Sequence, residues 1–259
     1  MRIITNADDF GMDDDTVKAT IECLDSGALT GATIMPNMPA SGAAIEYARA
    51  HPEMSFGVHL TYITDTVEAP LCDPATIPTL AAPDGKFFGS QHVRVSALRG
   101  RVNVEDIQRE TTAQLQRLID HGVRISHVDS HGHLHKFKPF RIALQNVLPR
   151  FGITRVRNVQ DVYLRRPLKS PTYWLGHWWR RGIMRSFKTT DHFFMPTSTA
   201  ADTSWPNQLL GRMRGDGSME VGVHPGRAEP WRDVERQMIG LFADSARKAG
   251  HELIGWANL

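Results

Sequence analysis

Four short stretches carry side chains that could do chemistry together. Asp8 and Asp9 stand side by side after the apolar run Ile3-Ile4-Thr5-Asn6-Ala7. Two adjacent carboxylates at the end of a buried strand each need a partner, because an unpaired desolvated charge is costly. A metal ion is the expected neutraliser, although a helix cap or an exposed turn is an alternative for a bare Asp-Asp pair. The ligands that such an ion needs are offered elsewhere. His59 closes Gly57-Val58-His59-Leu60, and Asp129-Ser130-His131-Gly132-His133-Leu134-His135 places three imidazoles at alternate positions. His224 begins His224-Pro225-Gly226. Neutral imidazole is the commonest metal ligand. His131, His133 and His135 share a face if the backbone is extended, and Asp129 is placed to orient an imidazole.

These residues need a scaffold that brings distant segments to one rim. Strand and helix signals alternate along the 259 residues. Strands are expected over 2–7, 33–35, 55–60, 123–129, 153–157, 219–223 and 252–256. Helices are expected from Asp13 to Gly27, over 40–50, from the Asn103 cap to Gly122, over 139–150, near 206–214 and over 232–249. Such alternation points to a parallel sheet, whose function collects at the C-terminal strand ends. Asp8, Asp9, His59, His131 and His224 all fall at or just after such ends. From 61 to 103 the pattern fails, punctuated by Pro70, Pro74, Pro78 and Pro83, and a long rim loop is expected there.

Hydrophobic residues are 41% and charged residues 22% of the chain, with a formal net charge of +2. A soluble globular protein fits, and nucleic acid is not expected as a partner. Cys23 and Cys72 are the only cysteines, which argues against a disulfide framework or a cysteine zinc site. No signal peptide is read at the start and no apolar run approaches the ~18–20 residues of a membrane span. A cytoplasmic location is expected. The stretch 161–191 is different: seven Lys and Arg lie between its two flanking aspartates, with Trp174, Trp178 and Trp179. Trp174 and Trp178 are four apart and share a helix face. A peripheral membrane or lipid contact, a sugar-stacking rim and an oligomer contact all suit this composition.

In order and spacing, Asn6-Ala7-Asp8-Asp9-Phe10-Gly11, Gly57-Val58-His59-Leu60-Thr61, His127-Val128-Asp129-Ser130-His131-Gly132-His133-Leu134-His135 and Val223-His224-Pro225 resemble the YdjC-like carbohydrate deacetylases, also called ChbG-like and including hopanoid-associated members. The resemblance covers essentially the whole chain. It implies an α/β fold, a distorted (β/α) barrel of about seven mostly parallel strands related to the NodB-type polysaccharide deacetylases. It also implies removal of an acetyl group from an N-acetylated amino sugar or glycoconjugate. By the same resemblance one divalent ion is held by Asp9, His59 and His131, zinc or magnesium first, with cobalt or manganese as alternatives. Asp8 then falls on the general base and His224 on the general acid. The neighbour that is often a further His in the family is Gly132 here. Asp129, His133, His135, Arg157 and Trp174 complete the expected set as substrate contacts or supports.

One catalytic domain over 1–259 is expected, with 62–103 and a basic insertion at 161–206 forming the rim. The substrate could be lipid- or natural-product-linked, and a homo-oligomer is left open. A different metallohydrolase on the same barrel, such as a phosphoesterase or amidohydrolase, and a non-catalytic carbohydrate-binding protein are the rival readings. Residues alone leave open which of Asp8 and Asp9 binds the ion.

Overall fold

The computed structural model describes residues 1–196, 202–213 and 215–259. In chain order the elements are β1 (Arg2–Phe10), α1 (Asp14–Asp25), β2 (Gly31–Ile34), α2 (Ser41–Ala50), β3 (Ser55–Leu60), α3 (Ser90–Leu98) and α4 (Val104–Asp120). They continue with β4 (Ile125–Ser130), α5 (Lys138–Val147), α6 (Pro171–Ser186), β5 (His192–Phe194), α7 (Trp205–Leu210), β6 (Ser218–Val223), α8 (Pro230–Lys248) and β7 (Glu252–Leu253).

Helix starts follow local chemistry. Asp13 caps α1 by accepting from the Thr16 backbone at 2.7 Å, while Thr16 Oγ1 accepts from the Asp13 backbone at 3.1 Å, a reciprocal cap worth about 1 kcal/mol. Asn103 caps α4 through Glu105. On α8 the buried Met238, Ile239, Phe242 and Ala246 recur at helical spacing and face the sheet.

The sheet runs β4-β3-β2-β1-β6-β5, with β7 also on β1, and every pairing is parallel. All C-terminal strand ends therefore meet at one rim. β1 is central and buried along nearly its whole length, as strands covered on both faces are. Gly57 lets β3 and β4 approach: a Cβ there would lie 2.6 Å from the His127 ring and 2.8 Å from its carbonyl oxygen. The sheet curls into a distorted half-barrel. Residues 154–157 lie along the seam between its edges, bonded to Val128 of β4 on one side and to Lys188, just before β5, on the other.

Several sequence expectations are corrected. The segment 153–157 forms isolated bridges instead of a regular strand, because it contacts each neighbour over only one or two residues. The strand near that edge is the three-residue β5, too short to show a period. β1 does not end at Ala7 but carries Asp8 and Asp9 to Phe10. The stretch 61–103 is not without structure: α3 lies within it, but only Val93 and Ala97 are buried on that helix and Gly89 provides no side-chain cap, so its pattern is faint. The His-rich stretch is a 3-10 turn, not extended, with left-handed Gly132 (φ 62) and His133 (φ 55). Its three imidazoles consequently do not share a face. Residues 197–201 of the basic insertion, and Arg214 at the end of the expected 206–214 helix, lie outside the described residues.

Candidate functional site

On a regular strand Asp8 and Asp9 would point to opposite faces. Here the register of β1 against β2 shifts between Ala7 and Phe10, and Asp9 takes a left-handed backbone at φ 59. A non-glycine residue held there costs on the order of 1–2 kcal/mol. The bulge lets the two carboxylates serve neighbouring sites. Asp9 faces a cavity of about 610 Å³ that it lines together with Asp65, His131, Gln160, His224 and Trp231. Asp8 turns into the barrel interior and is not on the cavity wall.

Asp9 gathers two imidazoles. Its Oδ1 lies 3.4 Å from His59 Nε2 and 3.1 Å from His131 Nδ1, and one donor atom of each residue lies within 4.8 Å of the others. His59 Nδ1 is 2.7 Å from Asp129 Oδ1, whose other oxygen accepts from Thr33 Oγ1 at 3.1 Å. That bond leaves His59 Nε2 turned to the Asp9 carboxylate, and the donor set of one carboxylate and two imidazoles fits a divalent ion. His131 also reaches Asp65 Oδ2 through Nε2 at 3.3 Å. Burial pushes the His131 ring toward the neutral form, but hydrogen bonds to Asp65 and Asp9 outweigh it and raise its pKa to about 10. A metal ion would take the place of that proton. Burial likewise pushes Asp9 up, yet the bond to His131 and the charges of His131, His224 and His59 hold it well below the usual carboxylate range. Arg232 Nη2 reaches its other oxygen at 2.8 Å.

Asp8, His59 and Asp129 form a second grouping of metal-ligating types. It is already filled by a cation. Arg157, fully buried, forks onto Asp8 at 2.5 and 2.7 Å, reaches Asp129 at 2.6 Å and donates through Nε and Nη2 to Glu220 at 2.9 and 2.7 Å. Its guanidinium also lies 4.9 Å over the Phe193 ring. Burial raises Asp8, but Arg157, His59 and His224 outweigh it and keep the carboxyl ionised. Glu220 is driven the other way: burial outweighs Arg157 and lifts it to about 7. Three carboxylates share one guanidinium, and Glu220 is the one that yields.

His224 sits across the cavity. Glu235 Oε2 accepts from its backbone N–H at 2.7 Å and lies 3.2 Å from its ring Nδ1. Burial pushes His224 toward the neutral form, but Glu235, Asp9 and Asp8 together raise its pKa. Its ring stays partly open to the cavity, beside Trp231 at 5.5 Å.

Not every expected residue joins this group. His135 is buried with Nδ1 on Ser130 Oγ at 2.8 Å. His133 packs edge-on to Phe193. Neither lines the cavity. Trp174 is 62% exposed and lies in a different hollow with Tyr173, His177 and Trp178. Four contributors escape a reading by motif: Asp65, Glu220, Arg232 and Glu235. Glu220 had a usable signal, a lone carboxylate inside Met219-Glu220-Val221, since buried Glu is rare unless paired. Arg232 and Glu235, three apart on one helix face just after the His-Pro pair, had a weaker one. Asp65, in an irregular loop, had none.

The family model described as YdjC-like protein matches residues 2–252. A carbohydrate deacetylase of Geobacillus stearothermophilus is 34% identical over 169 residues, 65% of this chain and 63% of that protein. A carbohydrate deacetylase of Listeria monocytogenes serotype 4a (strain HCC23) is 31% identical over 190 residues, 73% of each. The match thus spans just under two thirds of the length of the Geobacillus relative. A solved structure from Enterococcus faecalis V583 shares the fold, with a TM-score of 0.80 at 22% identity over 99% of this chain and 98% of that one.

Proposed function

The chain belongs to the YdjC-like protein family, and from that premise we propose that it is a metal-dependent hydrolase that removes the acetyl group from an N-acetylated amino sugar. The observation that carries the reading is the convergence of Asp9, the buried His59 and His131, with Asp9 and His131 lining a cavity that a carboxylate-anchored His224 also lines. The named activities of the Geobacillus and Listeria relatives support it.

Asp9, His59 and His131 would hold one divalent ion, which supplies a Lewis acid and lowers the pKa of a water. Nitrogen and oxygen donors do not choose among zinc, magnesium, cobalt and manganese. Asp129 fixes the His59 tautomer so that Nε2 is the free donor. Asp8 is assigned as general base by its place beside Asp9; Arg157 holds it ionised through the neutral range, which leaves it free of a proton and also lowers its basicity. His224 is assigned as general acid: Glu235 keeps its proton on, and it gives that proton to the leaving amine. Arg232 fixes the second oxygen of Asp9. The whole chain is proposed as one catalytic unit, with Asp65, Thr66 and Glu68 of the 62–103 stretch and Gln160, Met195 and Trp231 as the rim around the sugar. A hollow lined by Tyr163, Arg165 and Trp205 shares Gln160, Met195 and Trp231 with this cavity, which supports a conjugate, lipid- or natural-product-linked, over a lone monosaccharide.

One geometric observation favours a second assignment of the base. Asp65 lines the cavity and Asp8 does not. Acetate release from a panel of N-acetylated sugars and conjugates, with and without a chelator, tests the function and the assignment. Turnover should need the metal, at one ion per chain. Asp8→Asn should abolish turnover with metal retained, Asp65→Asn should keep it, and His131→Ala should lose metal and activity together. No acetate from any substrate, or full activity in Asp8→Asn, overturns the proposal. Two tightly held ions per chain would point instead to a phosphoesterase or amidohydrolase chemistry.

A further inference from the structure

Helix α6 buries little of itself. Gly176 and Ile183 face inward, and Trp179 packs on Phe137 at 5.0 Å with Lys136 Nζ 5.2 Å over its ring. Trp174 and Trp178 stand 62% and 69% exposed. With Arg181 and Arg185 they fall at i, i+4, i+7 and i+11, one stripe along the outer face. Leu175 and Met184 flank it, and Leu168 projects from the preceding loop. Among the described residues ten large apolar side chains are exposed, and five of them are in this one segment: Leu168, Trp174, Leu175, Trp178 and Met184. A soluble surface scatters such residues singly, and a cluster marks an interaction face.

Charge decides what the face fits. Between Asp161 and Asp191 there are seven Lys and Arg and no Asp or Glu. Arg180 is committed to Asp161 at 3.5 Å. Arg166, Lys169, Arg181 and Arg185 form no ion pair among the described residues. Cations left without carboxylates beside exposed tryptophans complement a surface that is anionic outside and apolar beneath. The indoles suit the interfacial depth, and the long cationic side chains reach headgroups while their stems lie along acyl chains. Among the described residues no helix is long and apolar enough to cross a membrane, so the contact is one of surface docking.

We propose that the outer face of α6, with the loop before it, docks on the surface of an anionic lipid bilayer. The hollow that holds Trp174 and Trp178 shares Gln160 and Tyr163 with the hollow beside the metal-site cavity. Docking would therefore set the bilayer at the end of a run of linked hollows. The inference rests on exposure and charge, and does not depend on the deacetylase reading.

Flotation of the 259-residue chain with unilamellar vesicles tests it, using phosphatidylcholine alone or mixed with phosphatidylglycerol, at low and high salt. The expected result is binding to the anionic vesicles, a blue shift of tryptophan emission on binding, and release by salt. Trp178→Ala should weaken binding. Replacing Arg166, Lys169, Arg181 and Arg185 by Gln should weaken it by about fivefold for each cation removed. Thermal melting confirms that the variants, all at exposed positions, remain folded. No flotation at low salt, equal binding by wild type and both variants, or a self-association in solution that Trp178→Ala dissolves would overturn the proposal; the last would make the face a contact between copies.

Discussion

Arg157→Met is the sharpest test of how the site is held together. Methionine keeps most of the buried volume but leaves Asp8, Asp129 and Glu220 facing one another without a cation; in the native protein the guanidinium lies 2.5 to 2.7 Å from each. Ion pairs this deeply buried cost about 3–5 kcal/mol when one partner is lost. An independent bound agrees. The freed carboxyls would sooner bind protons than stay charged, and protonating a carboxyl of ordinary pKa near 4 at about pH 7 costs roughly 4 kcal/mol. For a chain of this size about 2–4 °C of melting temperature accompany each kcal/mol, so a fall of about 6–20 °C is expected by calorimetry.

The pH dependence carries a sign. In the wild type the folded Asp8 pKa is depressed, so its contribution is present above its unfolded pKa and lost as pH falls through the lower folded value. In Arg157→Met the carboxyls acquire raised folded pKa values. Their contribution is then fully present below the unfolded pKa and is lost as pH rises. The gap between variant and wild type should therefore be widest at about pH 8 and shrink toward about pH 4. A deficit under about 1 kcal/mol at neutral pH, or one that widens on acidification, would refute the reasoning that Arg157 is the neutraliser of a carboxylate cluster.

Glu220→Gln isolates the third carboxyl. The folded pKa of Glu220 is lifted to about 7 from 4.5, so the native state binds its proton more tightly and wild-type stability should decline across that window as pH rises; urea titrations should show that slope reduced in the variant. Asp129→Asn removes the acceptor that sets the His59 tautomer and should lower metal affinity or activity by about 10–100-fold, read by metal competition titration; unchanged affinity would discard that role. Glu235→Gln removes a carboxylate that helps raise the His224 pKa, so the alkaline limb of the rate profile should move to lower pH, and an unmoved limb would detach His224 from the acid role.

Much of the fold was legible in the chain because it is written in local pattern. Alternating strand and helix periods, the Asp13 and Asn103 caps and the buried apolar run of β1 are decided by neighbours in sequence. They imply a parallel sheet with one functional rim. Position at strand ends is what groups Asp8, Asp9, His59, His131 and His224 as candidates in the sequence. Elements with few buried residues were not legible: α3 hides two side chains and β5 spans three residues, too little for a period to emerge.

What only the tertiary structure decided concerns partners that meet across the sheet. The sequence left the division between Asp8 and Asp9 open. The bulge in β1 and the left-handed Asp9 turn one carboxylate to His59 and His131 and the other to Arg157, and neither feature has a local signature in Asp-Asp-Phe-Gly. Arg157 is 149 residues from Asp8, and Glu220 is 63 from Arg157. Their encounter depends on the curl that brings β1, β6 and the seam segment around one buried guanidinium. The two lone His residues gained their anchors in the same way, His59 from Asp129 on the adjacent strand and His224 from Glu235 one helix later. A residue's chemistry is set by the field of its neighbours, and for charges buried in a barrel those neighbours are chosen by strand order and not by sequence distance.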